Sequence, residues 1–492
     1  MPQRIAIVGS GVSGLSALWA LNRQGHEVHV FESQDRIGGH THSFPWRNNQ
    51  GGLTMVDTAF VLLNEKTYPN FFSFLSFLNI PTNPIRITFG LNRDGGALEW
   101  SSKSLSSFFS QRRNLLSLSM WRMLFDIIRF NLFASEVLSP SSPYKDTSIG
   151  TYLHQNGYSE AFMNNYLIPL ASSLWVNDPA QVPELMPAVM LVRYFWNHHM
   201  LNIFQAIPKW LSIKGGCVRY VQKILDAVPA ERVHTSAHIQ KIYNDGEGVA
   251  LSMADGSQEV FDRVIIATHA PDALRLRGSD ASAEETAILG CFRTIPGTVV
   301  VHSDLSFMPR RRAAWSTWNY VDYSESSRSS KIGPSLTFHM NSLLDLSLDD
   351  DEHIFTTLNP GHAPDPATLR ASIAYSHPVY DSKTLEAQDK MPSIQGERNI
   401  WYAGAWMEYG FHENGFTAGL KAAKQIDPNL NLPFDMIDWK QSRIETRDTM
   451  QWMTTLAKGI VLLVHELIMV CQWIVQLFTS VLICKNKNGV YI

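Results

Sequence analysis

Cysteine is scarce in this chain and forms no pattern that suggests a structural role. Four of the 492 residues are cysteine, and they are Cys217, Cys291, Cys471 and Cys484. Their wide spacing is typical neither of the CxxC pairs of a zinc site nor of the framework of a disulfide-rich domain. The sequence therefore predicts no metal centre and no disulfide scaffold.

Charge is also low, and its two signs nearly balance. The chain has 41 lysines and arginines against 45 acidic residues, a net charge of −4, and charged residues make up 17% of it. This composition does not favour nucleic-acid binding, which needs a basic surface. No small-residue cleavage site follows the first apolar run, so we expect no signal peptide and a catalytic domain that faces the cytoplasm.

What is abundant is apolar sequence, and its first run ends in three spaced glycines. Hydrophobic residues make up 45% of the chain, enough for at least two domains. The run from Ile5 to Val8 predicts a buried parallel strand, and Gly9, Gly11 and Gly14 follow it. Glycines at this spacing allow a tight turn, a close backbone approach to a diphosphate and a helix–strand contact. The alternative is a glycine-rich turn in an ordinary α/β protein.

A second apolar strand ends in an acidic residue at the place where a dinucleotide ribose would lie. Val28 to Phe31 predicts this strand, and Glu32 follows it. Its carboxylate could accept hydrogen bonds from the ribose hydroxyls. A second anion at that place would be repelled, so Glu32 argues against a dinucleotide that carries a 2′-phosphate.

The residues after Glu32 form the pattern E-x-x-x-R-x-G-G, with Arg36 and the pair Gly38-Gly39. This pattern resembles the FAD-binding flavoprotein superfamily that contains amine oxidases, phytoene desaturases and protoporphyrinogen oxidases. The resemblance extends over residues 3–424. Three stretches, Gly38 to His42, Ala267 to Ala270 and Gly404 to Gly415, resemble one subgroup of the superfamily more specifically. That subgroup consists of predicted NAD/FAD-binding oxidoreductases associated with cyclopropane fatty-acid synthesis.

The resemblance implies an α/β fold with non-covalently bound FAD. The expected architecture is a Rossmann-like FAD-binding domain of the GR2 type, an interleaved α+β substrate domain and a C-terminal hydrophobic helix. We expect the FAD-binding domain to combine 1–64, 211–285 and 395–430, and the substrate domain to combine 65–210 and 286–394. The tail then covers 431–492.

The same resemblance implies a set of cofactor contacts. They are Gly9, Gly11, Ser13, Gly14, Glu32, Arg36, Gly38, Gly39, His40, Thr58, Ala59, His238, Gly404 and Glu413. Three of them depart from the family pattern: His40 replaces an arginine common in amine oxidases, Ala59 a glycine and His238 a valine. An exposed sheet residue is the alternative for His238.

His412 and Glu413 lie where a side chain could face the flavin ring, and we predict them as catalytic residues. The alternatives are structural. Glu413 could cap the last helix, and His40 could fix a phosphate turn. The helix itself is expected to open at Gly415, with its N-terminus directed at the flavin.

The C-terminal tail contains a long apolar stretch at 459–483. It is flanked by Lys458, Lys485 and Lys487 and is long enough to span a hydrocarbon core of about 30 Å. His465, Gln472, Gln476, Thr479 and Ser480 fall on one stripe of a helix drawn through it. The stripe favours an interfacial helix, or a span that pairs with a partner helix. A buried helix docked on the catalytic domain is the alternative to membrane association.

The substrate region is rich in apolar and aromatic residues, notably from Phe71 to Leu78 and from Leu115 to Phe133. Core helices are the first interpretation, and helices on a membrane surface are the second. With the apolar tail, this region indicates a hydrophobic substrate. Amine oxidases of the superfamily place a lysine near the flavin; here Lys331 lies in a serine-rich loop.

The predicted function is therefore an FAD-dependent oxidoreductase that removes a hydride from a lipid acyl chain or an isoprenoid, as a desaturase or oxidase. The alternatives are a redox-neutral double-bond isomerase, an amine oxidase and a flavin-binding protein without catalysis. The sequence does not indicate the electron acceptor or the oligomeric state.

Overall fold

The structure is a computed structural model and describes residues 1–201, 209–322, 334–346, 348–349, 351–437 and 451–487. The strands are β1 (Arg4–Val8), β2 (Glu27–Phe31), β3 (Ser43–Arg47), β4 (Leu53–Asp57), β5 (Thr82–Ile85), β6 (Phe89–Arg93), β7 (Leu98–Ser101), β8 (Trp210–Ile213), β9 (Val233–His234), β10 (Ile239–Asn244), β11 (Val249–Met253), β12 (Gln258–Phe261), β13 (Arg263–Ile266), β14 (Arg293–His302), β15 (Trp318–Asp322), β16 (Ser335–His339), β17 (Phe355–Leu358), β18 (Leu369–Val379) and β19 (Ile400–Tyr402). The α-helices are α1 (Val12–Arg23), α2 (Pro69–Phe77), α3 (Leu105–Phe108), α4 (Leu118–Phe133), α5 (Ile149–Gln155), α6 (Glu160–Phe162), α7 (Ile168–Trp175), α8 (Val182–Leu185), α9 (Ala188–Asn197), α10 (Val218–Leu225), α11 (Ala270–Arg277), α12 (Ala283–Leu289), α13 (Met340–Leu344), α14 (Ser382–Lys390), α15 (His412–Ile426) and α16 (Gln451–Lys487).

A parallel sheet of five strands carries the glycine-rich turn. Its order is β19-β13-β1-β2-β9, and β1 pairs in parallel with both β2 and β13. Ile5, Ile7, Val28 and Val30 are completely buried, as expected for a parallel sheet that is covered on both faces. The predicted α/β fold is confirmed. Ligands of such sheets bind at the carboxyl ends of the strands. The cofactor site is therefore expected at the edge of the sheet where these ends lie.

The helix α15, which follows the last strand of the parallel sheet, packs directly on α1, which follows the first. A Cβ atom on Gly419 would lie 2.0 Å from the backbone oxygen of Ser13. At Gly415 it would lie 2.6 Å from Val12 Cγ1. Only glycine allows the two backbones to come this close. The contact brings the N-terminal ends of both helices to the same edge of the sheet.

The prediction that α15 opens at Gly415 is wrong by three residues, because the helix begins at His412. The side chain of Asn414 accepts the N–H of Phe411 at 3.0 Å and so stabilises the earlier start. Asn414 in turn donates to Glu408 at 2.9 Å, which ties the loop before the helix to its first turn.

A seven-stranded sheet forms a second layer, in the order β18-β14-β17-β16-β15-β6-β7. Its pairs are antiparallel except for β15 and β6. One apolar-aromatic cluster joins this sheet to the helices α4 to α9. The helix α2 instead packs with the parallel sheet, through Phe71 and Phe74. The division into domains stays a prediction.

The helix α16 lies against α4. Arg129 Nη1 on α4 is 2.7 Å from Nδ1 of His465 on α16, and Lys458 Nζ is 3.2 Å from Oε1 of Glu136. Within the described residues, α16 is the helix long and apolar enough to cross a membrane, over Met453–Ile474, by length and composition alone. Only 6% of that window is buried in the protein.

Candidate FAD and active site

The turn between β1 and α1 requires glycine at two positions. Gly9 has a φ of +101°, and a Cβ atom there would lie 2.7 Å from the backbone oxygen of Ala267. A Cβ atom on Gly14 would lie 2.0 Å from the backbone oxygen of Gly9. These contacts hold the start of α1 close to the ends of β1 and β13, with the free N–H groups of its first turn at the edge of the sheet.

Gly11 differs from its neighbours, because a Cβ atom there would meet no protein atom within 4 Å. The open face lies beside the N-terminal turn of α1, whose N–H groups and dipole favour an anion. A second turn closes on it, since Gly39, with a φ of +56°, would bring a Cβ atom within 3.1 Å of Gly11 Cα. The two glycine turns thus form a cradle that fits the diphosphate of FAD.

Glu32 lies at the end of β2, next to this cradle. Its Oε2 accepts hydrogen bonds from the N–H of Ser10 at 3.0 Å and from Ser10 Oγ at 2.6 Å, and its Oε1 accepts the N–H of Gln34 at 3.0 Å. The carboxylate is buried and held in one orientation at the predicted ribose position. Arg36 donates to the carbonyl of Gly39 at 2.8 Å and so supports the second glycine turn.

Ala59 and Thr58 follow β4. Ala59 does not have the positive φ that would have favoured the family's glycine, so alanine is accommodated without strain. Thr58 Oγ1 is 2.7 Å from the hydroxyl of Tyr375 on β18 and 3.1 Å from Nδ1 of His42. This hydrogen bond connects the loop after β4 to the seven-stranded sheet.

Gly404 follows β19 at the same edge. The indole of Trp406 crosses directly over it, and a Cβ atom on Gly404 would lie 2.1 Å from Trp406 Nε1. That nitrogen donates to the carbonyl of Thr268 at 3.0 Å, which links the ends of β13 and β19. His238 directly precedes β10 and has an exposed side chain, and its carbonyl accepts the N–H of Ala254 at 2.9 Å.

His40 belongs to a group of rings that we call the imidazole cluster: His40, His269, His377 and Tyr375. The ring of Tyr375 stacks on His40 with centroids 4.6 Å apart, while His377 and His269 approach His40 at 5.5 and 5.9 Å. His40 and His269 follow strands of the parallel sheet, whereas the other two lie on β18. The cluster therefore lies between the two sheets.

Burial keeps the imidazole cluster uncharged near neutral pH. It lowers the pKa of His377 to about 4, and it lowers the pKa of His40 well below its ordinary value, with a contribution from His377. The Nε2 of His377 is buried and has no hydrogen-bond partner. Sequence reasoning did not assign His269, His377 and Tyr375 to the site. The phrase around Ala267 to Ala270 was the available signal for His269.

His412 begins α15 and is surrounded by aromatic rings. Its ring stacks on Phe60 with centroids 3.7 Å apart, and its Nε2 is 3.0 Å from the hydroxyl of Tyr220. Tyr220 is in turn 2.9 Å from Thr41 Oγ1. Burial lowers the pKa of His412 to about 3, so the ring is neutral. Its predicted catalytic role stays a prediction.

Glu413 points away from this aromatic group and towards α2. Its Oε1 accepts the N–H of Asn70 at 3.0 Å, and its Oε2 accepts the N–H of Phe71 at 2.9 Å. These are N–H groups of the first turn of α2, which have no partner within the helix. Glu413 thus caps a helix, but it is α2 and not α15. Both oxygens are used in this way, which favours a structural role over catalysis.

Comparison with known proteins identifies the family. The family model for flavin-containing amine oxidoreductases matches residues 12–287, more than half of the chain. This chain belongs to that family. The family contains a flavin, and the cofactor of this chain is FAD.

Its curated relatives include the L-amino-acid oxidase BmooLAAO-I of Bothrops moojeni, 24% identical over 295 residues. That match covers 56% of this chain and 54% of the relative, so the chain spans about half the length of the curated relatives it matches.

Solved structures show the same fold over more of the chain. The CLA-producing fatty acid isomerase from P. acnes aligns with a TM-score of 0.58 at 15% identity, over 87% of this chain and 99% of the isomerase. The cyclohexylamine oxidase from Brevibacterium oxydans aligns with a TM-score of 0.57 at 17% identity, over the same shares of the two chains.

The residues present fit FAD, and each end of the cofactor has a place at the edge of the parallel sheet. Bound flavin supplies the acceptance or return of a hydride. Gly11, Gly39 and the first turn of α1 would hold the diphosphate, and Glu32 the ribose. The loop with Thr58 and Ala59 and the start of α15 would then border the ring.

Proposed function

We propose that this enzyme removes a hydride from a hydrophobic substrate, a lipid acyl chain or an isoprenoid, as a desaturase or oxidase. The observation that carries the proposal is the packing of Ala59 and Phe411. These residues come from the two loops that the family resemblance places beside the flavin ring, and both pack against the apolar-aromatic cluster of the substrate region. The space beside the ring is thus bordered by apolar side chains, which suit an alkyl or polyene chain.

The composition of the seven-stranded sheet argues against an amine substrate. The strands of this sheet contain no lysine in their described residues, so none presents the lysine expected near the flavin of an amine oxidase. Lys331 lies outside the described residues. Amine oxidation therefore has no support from the sheet that borders the imidazole cluster.

Within this proposal, the imidazole cluster borders the site on the side of the parallel sheet. His377 has a buried Nε2 without a protein partner, and His40 connects it to the second glycine turn. We propose that His377 donates to, or accepts from, the flavin or the substrate. The predicted cofactor contacts at His40, Thr58, Ala59 and Gly404 belong to the same proposal, and His238 contributes at most through its backbone.

Membrane association is proposed on the arrangement of α16. The side of the helix that carries Lys458, His465 and Met469 faces the protein. The opposite side is apolar and exposed, with Leu456, Ile460, Leu463 and Leu467. A helix with one side against the protein and the opposite side apolar and exposed suits a membrane interface, because water would solvate the outer side poorly. The catalytic domain would then lie on the cytoplasmic face of that membrane.

An anaerobic titration tests the proposed reaction. Purified holoenzyme is mixed with fatty acyl lipids, isoprenoids or simple amines, and the absorbance of the oxidised flavin is followed. We expect the flavin to bleach with a lipid and not with amines. Bleaching with amines alone would overturn the proposal.

The same titration separates oxidation from isomerisation. An isomerase removes and returns the same hydride, so it would convert the lipid without net bleaching and without an electron acceptor. A lipid product formed under anaerobic conditions with the flavin still oxidised would therefore replace the desaturase or oxidase by the isomerase.

A further inference from the structure

The region around α3 and the start of α4 exposes several large apolar side chains. We call Leu105, Leu115, Leu116, Leu118 and Trp121 the apolar tip. Leu116 and Leu118 are 90% and 86% exposed, and Leu105 is 60% exposed. Scattered surface leucines are ordinary, but five large apolar residues within one short segment are not.

Hydrogen bonds and ring packing fix the backbone of the apolar tip. The indole of Trp121 donates from Nε1 to the carbonyl of Leu115 at 2.9 Å, and its ring lies 4.8 Å from that of Phe109. The side chain of Ser117 accepts the N–H of Met120 at 3.4 Å and caps α4. The exposed leucines are thus presented by a fixed backbone.

Basic residues surround the apolar tip. We call Arg86, Lys103, Arg112, Arg113, Arg310, Arg311 and Arg312 the basic corner, and all of them are exposed. Contacts hold Arg86, Arg113 and Arg310 along the β6–β7 hairpin and its flanks. Arg86 donates to the carbonyl of Lys103 at 3.0 Å, Arg113 donates to that of Ala97 at 2.6 Å, and the N–H of Arg310 donates to Glu99 at 2.6 Å.

Few acidic residues offset this charge. Residues 86–116 and 305–315 contain eight lysines and arginines but two acids, Asp94 and Glu99. Glu99 is buried, and its carboxylate lies 3.5 Å from Arg311. The chain as a whole has a net charge of −4. The basic corner is therefore a local positive region that would orient the protein towards a negative surface.

The apolar tip also lies at one end of the helix pair that α4 forms with α16. Lys458 contacts Phe133 at the end of α4, His465 contacts Arg129, and Met469 reaches Gly157, whose carbonyl accepts from Arg122. The helix α16 therefore runs antiparallel to α4 and continues towards Leu118.

We propose that the apolar tip and the basic corner together dock on a lipid bilayer that contains anionic headgroups. The leucines and Trp121 would insert at the boundary of headgroups and acyl chains, and the arginines would lie at the level of the phosphates. Charge complementarity selects this partner over a second copy of the chain, which would place two positive regions against each other. The inference rests on the proposed membrane association, and it adds a second contact that is selective for lipid charge.

Vesicle co-sedimentation of the full-length holoenzyme tests the docking surface, with phosphatidylcholine vesicles that either contain or lack phosphatidylglycerol. We expect R113Q/R312Q to bind anionic vesicles about 25-fold more weakly than the native chain, at about fivefold per arginine, and neutral vesicles equally well. We expect L116S/L118S to weaken binding to both kinds of vesicle at least tenfold.

Matched controls are available on exposed positions elsewhere in the protein. R219Q/K223Q on α10 removes two exposed positive charges, and L53S on β4 removes an exposed leucine. Both variants should bind vesicles as the native chain does. Native-like binding by both corner and tip variants would overturn the proposal and leave α16 as the membrane contact. A change of oligomeric state on light scattering with unchanged vesicle binding would also overturn it, in favour of an interface between copies.

The measurement needs neither substrate nor turnover. Flavin absorbance of each variant shows that it is folded and loaded with FAD. An enzyme that fails to oxidise lipids can therefore still pass this test, and a failed docking surface leaves the proposed reaction untouched.

Discussion

The carboxylate of Glu413 on α15 accepts the backbone N–H of Phe71 on α2 at 2.9 Å, across 342 positions of the chain. The neighbouring N–H of Asn70 binds the other oxygen. One buried acid thus joins the helix after the last strand to the first helix of the predicted substrate domain.

This contact predicts an unusual dependence of stability on pH. Burial raises the pKa of Glu413 from 4.5 to about 8 in spite of its hydrogen bonds. Because the folded-state value is the higher one, the stabilisation is complete below pH about 4.5 and is lost as the pH rises through about 8. We expect the free energy of unfolding to fall over this window by at most about 1.4 kcal/mol per pH unit. The melting temperature should fall with it.

The variant E413Q cannot ionise, so its melting temperature should change less between pH 5 and 8 than that of the native chain. E413A is the matched control. It leaves two buried N–H groups of α2 without an acceptor, and it should lower stability by about 1–3 kcal/mol below pH about 4.5, where Glu413 of the native chain is uncharged in both the folded and the unfolded state. Parallel melting profiles of the native chain and E413Q would show that the pKa of Glu413 is not raised.

Gly11 and Gly14 offer a pair of substitutions that separate cofactor binding from folding. Gly11 has a φ of −62°, and a methyl group there meets no protein atom within 4 Å, so G11A should melt like the native apoprotein. The methyl group would lie in the cradle, and we expect FAD to bind at least tenfold more weakly. G14A should instead lower the melting temperature, because its methyl group meets the backbone of Gly9 at 2.0 Å. Native FAD affinity in G11A would contradict the proposed cradle.

Replacement of Glu32 is expected to lower FAD affinity without unfolding the protein. Hydrogen bonds to a charged group are worth about 1.5–3 kcal/mol each, so E32A should weaken FAD binding roughly 10- to 100-fold in a fluorescence titration. S10A is its control, because it removes the 2.6 Å hydrogen bond to the carboxylate but leaves the acceptor at the ribose position. Equal losses in both variants would mean that Glu32 acts by holding the loop.

His412 is predicted as a catalytic residue, and H412A should keep FAD and lose turnover by about 100-fold or more, as expected for a group that transfers a proton. Y220F removes the hydroxyl 3.0 Å from His412 Nε2 but retains the imidazole, so it should lose less. Full activity of H412A would remove His412 from the site. An equal loss in both variants would make His412 a positioning residue.

The features predicted best from the sequence are those that depend on residues close together in the chain. The turn at Gly9 to Gly14 and the acid at Glu32 both follow from local spacing, and the structure has them at the ends of β1 and β2, where they were expected. Helix α16 extends beyond the predicted 459–483 at both ends, since its polar flanks are also helical.

What could not be predicted depends on residues that are far apart in the chain. Nothing near Glu413 indicates that the backbone N–H groups that donate to its carboxylate belong to Asn70 and Phe71. In the same way, His377 meets His40 only because β18 is brought against the end of the second glycine turn. A single sequence contains each of these residues but not the pairing of the sheets that brings them together.

The contact between α1 and α15 has a consequence for synthesis. The glycine and serine face of α1 leaves the ribosome among the first residues, but its partner at Gly419 follows about 400 residues later. At roughly 5–20 residues per second, the nascent chain waits on the order of 20–80 s before the two helices can meet. During that interval the first sheet lacks both β19 and its final cover, and a chain that stops before α15 leaves the FAD-binding unit permanently open to chaperones and proteases.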